Sequence, residues 1–265
     1  MNTSNSRLLS LDVMRGITIA GMILVNNPGS DNYIYVPLEH SRWNGITPTD
    51  LVFPFFIFIM GVSMYLSYKK FDFKFSRKTF TKLFRRSALL FLIGYVLNWA
   101  GHSFGTFNEL HSSGLSVADK LLNATTDFEH VRILGVLQRL ALVSFFGSLL
   151  ILLVHPKQIP WLIGVILIIY WIITGITNSF EETNDSIVAV IDRLVLGTSR
   201  MYSERLADGS IIHFDPEGIL GVFPGIAHVL LGFLAGKLIS ETNDNNQRIQ
   251  KLFLFGTIIL FVGYL

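Results

Sequence analysis

The sequence contains no cysteine and few charged residues. The absence of cysteine excludes disulfides, thiol nucleophiles and thiolate metal sites. Only 15% of the 265 residues are Asp, Glu, Lys or Arg, whereas 51% are hydrophobic, which is too apolar for an ordinary soluble domain. The net charge of +2 gives nucleic-acid binding no support, and we expect no nucleic-acid partner. The composition predicts an integral membrane protein.

Several catalytic motifs are also missing from the sequence. It has no glycine-rich phosphate loop and no Gly-x-Ser-x-Gly turn, so nucleotide hydrolysis and serine hydrolysis have no support. The histidines do not form a two-histidine-plus-carboxylate spacing on one helix. We therefore predict no metal site.

Apolar windows of the length that a membrane helix needs, about 20 residues, recur along the chain. Because no internal repeat or long linker separates them, we expect residues 1–265 to form one all-α transmembrane domain. The last window runs to the final residue inside an apolar stretch, which suggests a chain truncated at its C-terminal end. The seven predicted spans are residues 9–27, 49–68, 87–100, 131–154, 159–177, 218–240 and 252–265.

The loop after the second span is strongly basic and predicts the orientation of the bundle. By the positive-inside rule this loop lies in the cytoplasm, where it would also contact anionic membrane lipid. The first helix then starts in the cytoplasm, and residues 28–48, 101–130 and 178–217 lie on the outer side. The basic residues are Lys69, Lys70, Lys74, Arg77, Lys78, Lys82, Arg85 and Arg86.

The polar loop before the second span carries the first chemical candidates, His40 and Asp50. A histidine can accept and return a proton near neutral pH, as group transfer onto an amine or hydroxyl requires. The alternative is an interfacial histidine beside Trp43 in the headgroup belt. Asp50 either caps the second helix together with Thr47 and Thr49, or holds the imidazole of His40 in one tautomer.

Both ends of the first helix carry polar residues with two interpretations. Asn26 and Asn27 precede Pro28, where they either cap the helix or place an amide against a substrate carbonyl. At the other end, Asp12 and Arg15 are spaced i, i+3, and they form either a simple ion pair or a site for a phosphate-bearing ligand.

Polar residues inside the fourth span are informative, because an uncompensated charge there costs at least about 2.5–3.5 kcal/mol. Three- and four-residue spacings predict that they share one helix face, which lines a polar cavity. Alternatively, Arg139 pairs with a carboxylate such as Asp12 or Asp192 and locks two helices together. The residues of this face are Arg132, Gly135, Gln138 and Arg139.

Six ordered sequence blocks carry a resemblance to a known family. They are residues 10–16, 25–29, 40–54, 132–139, 191–197 and 215–221. Together they resemble the heparan-alpha-glucosaminide N-acetyltransferase family and its bacterial relatives. The blocks extend over most of the chain, although the family's final helices lie beyond its end.

The resemblance implies a transmembrane acyltransferase. Such an enzyme moves an acetyl group from cytoplasmic acetyl-CoA, as co-substrate, to the amine of a glucosamine-type amino sugar or glycan on the outer face. The family's active histidine maps onto His40 and its functional asparagine onto Asn26, and Asp50 is the third catalytic candidate. Arg15 and Asp12 are candidates for binding acetyl-CoA. Candidates for binding the acceptor are Asn27, Trp43, Asn44, Arg132, Gln138, Arg139, Asp215 and Glu217.

The bacterial relatives imply a bacterial inner membrane, and the family implies a homodimer. The alternative from another class is an amino-sugar or small-molecule transporter that does no chemistry. Intramembrane arginine and glutamine facing a cavity would serve either function.

Overall fold

The computed structural model describes residues 8–30, 33–41, 43–177, 179–181, 183–205 and 209–264. Within these ranges the chain forms nine α-helices and one antiparallel hairpin. In the hairpin, β1 (Ser203–Arg205) pairs with β2 (Ile211–His213), so that Ser203 lies opposite His213. The helices are α1 (Leu9–Val25), α2 (Val52–Tyr68), α3 (Arg77–Glu109), α4 (Val117–Thr126), α5 (Val136–Leu153), α6 (Ile159–Ile176), α7 (Ile187–Leu196), α8 (Val222–Glu241) and α9 (Asn245–Tyr264).

Each of the seven predicted spans coincides with a long helix, namely α1, α2, α3, α5, α6, α8 or α9. In the described chain, five helical segments are long and apolar enough to cross a membrane: Thr49–Phe71, Arg77–Ser112, Val136–Leu153, Ile159–Ile176 and Val222–Glu241. Helix α1 is shorter, at 17 residues, and α9 begins with a polar turn, so neither belongs to that set. The predicted all-α membrane fold is confirmed. Residue 265, the end of the last predicted span, lies outside the described residues.

Three elements were not predicted, and each is too short to cross a bilayer. Helices α4 and α7 have ten residues each and begin at serine caps, where the Ser116 Oγ accepts from the Asp119 N–H and the Ser186 Oγ from the Ala189 N–H. The third element is the β1–β2 hairpin. A search for apolar windows of about 20 residues does not detect such segments.

The start of α5 differs from the prediction. The helix begins at Val136, and residues 131–135 form a non-helical segment. The Asn98 Nδ2 donates to the carbonyls of Arg132 and Leu134 at 3.0 and 3.2 Å, and the Ile133 N–H donates to the Arg200 carbonyl at 3.1 Å. These bonds occupy backbone groups that a longer helix would use. The prediction that Arg132 shares a helix face with Gln138 and Arg139 is therefore wrong.

The chain divides into two compact units, and the first contains residues 1–74, 151–163 and 227–265. In this unit α2 crosses residues 227–241 of α8 at very short range. A Cβ added at Gly61 would collide with the backbone of Val229, and one added at Gly232 would collide with the Phe58 carbonyl. Small residues therefore permit close backbone approach at this crossing.

Helices α1 and α2 pack antiparallel within the first unit. Helix α1 contacts both α2 and the 3-10 turn Thr49–Leu51 that precedes it. A Cβ at Gly21 would lie 3.8 Å from the Val52 side chain, and the Arg15 Nη2 lies 3.3 Å from the Ser63 Oγ. The C-terminal end of α1, with Asn26, therefore lies at the same end of the pair as the start of α2.

The second unit contains residues 75–150 and 164–226. Helices α3 and α4 pack together, and the Trp99 indole N–H donates to the Thr125 carbonyl at 3.0 Å. A cluster of apolar side chains packs around the segment before α5. It consists of buried Leu134, Leu196 and Met201 with Phe91, Ile133, Leu142 and Ile219 packed against them. Packing in this cluster holds residues 131–135, the segment that carries Arg132, in place.

Candidate functional site

His40 and Asp50 form a close pair in the first unit. The His40 Nδ1 lies 2.6 Å from the Asp50 Oδ1. Asp50 lies in the 3-10 turn that leads into α2, and His40 lies nine residues earlier than Thr49, after the short 3-10 turn Val36–Leu38. The structure thus shows the contact between His40 and Asp50 that the sequence offered as one of two interpretations of Asp50.

The second carboxylate oxygen of Asp50 is held by the loop that precedes α2. It accepts hydrogen bonds from the Thr47 N–H at 2.8 Å, the Thr47 hydroxyl at 3.0 Å and the Ser41 N–H at 3.2 Å. These donors lie before the helix, so the carboxylate fixes the loop and the imidazole and does not cap α2. Of the two interpretations of Asp50, the structure shows the one in which it orients His40.

The pair leaves one nitrogen of His40 available. An ionised carboxylate can only accept, so the Nδ1 of His40 carries the hydrogen, and in the neutral imidazole the Nε2 then has the lone pair. The His40 side chain is 72% exposed, whereas Asp50 is 22% exposed. The arrangement is therefore an anchored carboxylate that presents an accessible base, which is the geometry that proton removal from an incoming nucleophile requires.

The other candidates of this region surround the pair in different ways. Asn26 is the C-terminal cap residue of α1 and its side chain is exposed at the same end of the helix pair as Asp50. The Asn27 Nδ2 donates to the Ile23 carbonyl at 2.8 Å, as the capping interpretation predicts. Trp43 is half-buried and Asn44 is exposed in the loop. Asn26 therefore places an exposed amide at the end of α1 that lies beside the start of α2.

Asp12 and Arg15 lie toward the opposite end of α1. The Arg15 Nη1 contacts the Asp12 Oδ1 at 3.3 Å, and both side chains are nearly half exposed. Eleven residues of helix separate Arg15 from Asn26, which corresponds to about 16 Å along the axis. The simple ion pair is formed, and both groups remain accessible from outside the bundle.

Arg132 is the centre of a second ionic cluster, which lies in the second unit. Its Nε and Nη2 donate to the two oxygens of Asp215 at 2.9 and 2.5 Å, and Nη2 also pairs with Glu217. Asp215 is almost completely buried and accepts further bonds from the Tyr202 and Glu217 N–H groups. Three of the predicted acceptor-binding residues therefore bind one another and join the segment before α5 to the segment before α8.

Gln138, Arg139 and Asp192 lie in the same unit. Gln138 is buried, and Arg139 donates to the carbonyls of Pro216 and Gly221 at 2.9 and 3.0 Å. Asp192 is fully buried on α7, where its Oδ1 accepts from the Ile219 N–H at 2.9 Å. Burial raises the pKa of Asp192 to about 6, and nearby Asp215 adds to the effect. Through these bonds, Arg139 and Asp192 hold the segment that leads into α8.

One cluster of titratable residues was missed by the sequence analysis. The Asp127 carboxylate lies between two imidazoles, 3.0 Å from the His102 Nε2 and 2.7 Å from the His130 Nδ1. Hydrogen bonds from His130 and His102 lower the pKa of Asp127, and the same bond from Asp127 raises the pKa of His130. The i, i+3 spacing of Asp127 and His130 was the only local signal, since His102 comes from α3.

Comparisons with known proteins identify the family of the chain. The family model described as "Heparan-alpha-glucosaminide N-acetyltransferase, catalytic" matches residues 7–264. The human protein named heparan-alpha-glucosaminide N-acetyltransferase is 28% identical over 280 residues, which cover 88% of this chain and 38% of that protein. The mouse protein of the same name is 27% identical over 303 residues, or 97% of this chain and 43% of that protein.

The chain spans less than half the length of these two relatives. The family match, in contrast, extends through nearly all of the described residues and includes both His40 and Arg132. The chain therefore belongs to the heparan-alpha-glucosaminide N-acetyltransferase catalytic family.

Proposed function

We propose that this protein is an acetyl-CoA-dependent N-acetyltransferase whose acceptor is the amine of a glucosamine-type amino sugar. The observation that carries the proposal is the His40–Asp50 pair, which leaves the Nε2 of an exposed imidazole free to take a proton. Family membership supplies the reaction class, since the relatives are named as N-acetyltransferases.

In the proposed reaction, the acceptor amine attacks the carbonyl carbon of the acetyl thioester. The new C–N bond forms, the C–S bond breaks and CoA leaves as the thiolate. The Nε2 of His40 takes the proton that the amine loses, and Asp50 stabilises the resulting imidazolium through Nδ1–H. The proton then passes to the thiolate or to water. The Asn26 amide is proposed to donate to the developing oxyanion.

The binding of acetyl-CoA is assigned to the opposite end of α1. Arg15 is accessible there, and a guanidinium suits the phosphates of CoA, while Asp12 holds the side chain in place. Trp43 and Asn44 are proposed to contact the acceptor sugar from the loop of His40. The basic loop after α2 supports a cytoplasmic location for the Arg15 end and an outer location for His40.

Three further assignments belong to the same proposal. The family match runs through both compact units, which supports treating residues 1–265 as one catalytic domain. Arg132, Asp215 and Glu217, which bind one another, and Arg139, which donates to backbone carbonyls, are proposed to support acceptor binding indirectly. Buried Gln138 is proposed to contact the acceptor. A bacterial inner membrane and a homodimer follow from the family resemblance.

The experiment is the release of CoA from acetyl-CoA by the purified protein in detergent, with and without glucosamine. We expect glucosamine-dependent release that falls by about 10²- to 10⁴-fold in His40→Ala, the range that a general base contributes. Binding of CoA should survive the substitution, since His40 lies far from Arg15 along α1 and α2. His111→Ala is the matched control, because His111 is an exposed histidine outside the proposed site.

Two results would contradict the proposal. Equal rates for His40→Ala and the wild type would remove His40 from the mechanism. Uptake of glucosamine into vesicles without any release of thiol would instead identify a transporter.

A further inference from the structure

The first part of α3 carries a basic groove that the proposed acetyl transfer does not use. The groove has a volume of about 1020 Å³ and is formed along one flank of the helix. Its basic lining residues are Arg77, Lys78, Lys82, Arg85 and Arg86, all of which are exposed. We call this feature the α3 groove.

The α3 groove continues from charged to apolar residues without a break. Along α3 the basic lining residues Arg77 to Arg86 come first, and the apolar lining residues Leu89, Leu90 and Ile93 follow them. Arg85, Leu89 and Ile93 are neighbours on successive turns of the helix. The lining from Arg77 to Ile93 extends over about 24 Å, and its last third is formed by Leu89, Leu90 and Ile93. A ligand that fills the groove must therefore be anionic at one end and apolar at the other.

The length of α3 places the change from basic to apolar at the membrane surface. The helix has 33 residues, or about 50 Å, whereas the hydrocarbon core of a bilayer is about 30 Å thick. Part of α3 must therefore lie outside the hydrocarbon. The end that carries five cations is the part that water and headgroups favour, and exposed Leu89, Leu92 and Ile93 follow the last of these cations.

The cations of the α3 groove have no internal counter-charge in the described chain. Within the described residues, no carboxylate lies within 4 Å of any of the five. The ion pairs that form elsewhere involve Arg15 and Arg132 or histidines. An external anion is therefore the natural partner of this surface.

We propose that the α3 groove binds an anionic phospholipid. Arg85 and Arg86 hold the phosphate, because they are the last cations before the apolar rows and guanidinium groups bind phosphate in a bidentate manner. One acyl chain lies along Leu89 and Ile93. The proposal does not depend on the acetyltransferase activity, and it commits to a lipid in place of a soluble phosphate because the apolar third of the groove would be empty with the latter.

The test is native mass spectrometry of the full chain in a non-ionic detergent, with added phosphatidylglycerol or phosphatidylcholine. We expect the wild type to retain phosphatidylglycerol in preference to phosphatidylcholine. Arg85→Gln/Arg86→Gln should weaken retention of phosphatidylglycerol by about tenfold or more, since each cation near an anionic headgroup contributes roughly fivefold. The matched control is Arg200→Gln/Arg205→Gln, which removes the same charge from exposed residues outside the groove and outside the basic loop after α2 and should change retention less than twofold.

Competition distinguishes the sources of phosphate. Glycerol 3-phosphate has the headgroup chemistry without acyl chains, and CoA has phosphates without a lipid tail, so neither should displace phosphatidylglycerol. Displacement by either compound at equal concentration would overturn the proposal, as would equal losses in the two double variants. A wild type that shows no preference between the two lipids would also overturn it, and that result needs no variant to fold.

Discussion

Two ionic clusters of this protein are each built around an aspartate but leave different groups free. In the first unit, Asp50 anchors His40. The His40 side chain is 72% exposed, so one imidazole nitrogen stays accessible. In the second unit, Arg132 sits between Asp215 and Glu217, and the backbone N–H groups of Tyr202 and Glu217 complete the coordination of Asp215.

This difference separates chemistry from scaffolding. A carboxylate that orients a base and leaves that base open can act on a substrate. A buried carboxylate whose oxygens are taken by a guanidinium and two N–H groups instead fixes the chain segments that supply them. The comparison therefore predicts that substitutions near His40 change rates, whereas substitutions at Arg132 change stability.

The largest effect on rate, apart from loss of His40, is expected from Asp50→Asn. Asparagine can donate to Nδ1 of His40 and so favours the tautomer in which Nε2 carries the hydrogen, which removes the base. We expect CoA release to fall by about 10²- to 10⁴-fold with little change in melting temperature.

The control for Asp50→Asn is Asp72→Asn, which changes an acid in the exposed turn after α2. Its rate should match the wild type. A wild-type rate for Asp50→Asn would show that the tautomer of His40 is irrelevant.

The opposite behaviour is expected at Arg132. Arg132→Ala leaves the Asp215 carboxylate buried without its cation, which typically costs about 3–5 kcal/mol of stability. The free energy of unfolding, measured by denaturant titration in detergent, should fall accordingly. Activity per folded molecule at low temperature should fall much less than in His40→Ala. Arg205→Ala in the exposed strand β1 is the comparison variant and should change stability by less than about 0.5 kcal/mol.

A smaller and pH-dependent effect is expected at Asp192. Its pKa is raised by burial to about 6, so the folded protein is destabilised progressively as pH rises from the ordinary carboxyl value toward 6. Asp192→Asn removes the ionisation and should gain stability relative to the wild type above pH 6, by at most about 3 kcal/mol. Melting curves at pH 5 and pH 8 measure this. A variant that is less stable than the wild type at pH 8 would contradict the effect.

The smallest expected effect concerns the exposed pair of Asp127 and His130. The pKa of His130 is raised, so the pair stabilises the fold below the usual histidine value and loses this contribution as pH rises through the raised value. The pKa of Asp127 is lowered, so its contribution is present above the usual carboxyl value and is lost only in stronger acid. His130→Gln should lower the melting temperature by a few degrees at pH 6 and much less at pH 9.

The long helices could be predicted from the sequence because a membrane helix is a long and apolar segment. The same measure underestimated the length of α3, which begins at Arg77 and ends at Glu109. Its basic first turns and polar last turns lower the local hydropathy, although those residues form helices well. It placed the start of α5 too early, since the side chain of Asn98 from another helix decides where the backbone becomes helical.

The residues of the candidate site could be predicted from the sequence better than the contacts between them. His40 and Asp50 were both singled out, but their spacing of ten residues on an irregular loop gives no rule for whether they meet. The bonds from Thr47 and Ser41 that settle the matter depend on the path of the loop. Likewise, Arg132 and Asp215 are 83 residues apart, so only the fold brings them together.

The central claim is that the free nitrogen of His40 performs the proton transfer. Replacing His40 by glycine and supplying imidazole in solution tests this most directly, with glucosamine-dependent release of CoA as the readout. We expect His40→Gly to lose activity and imidazole to restore part of it, with a pH dependence that follows the titration of the added imidazole. A His40→Gly protein that turns over at the wild-type rate without imidazole would contradict the account.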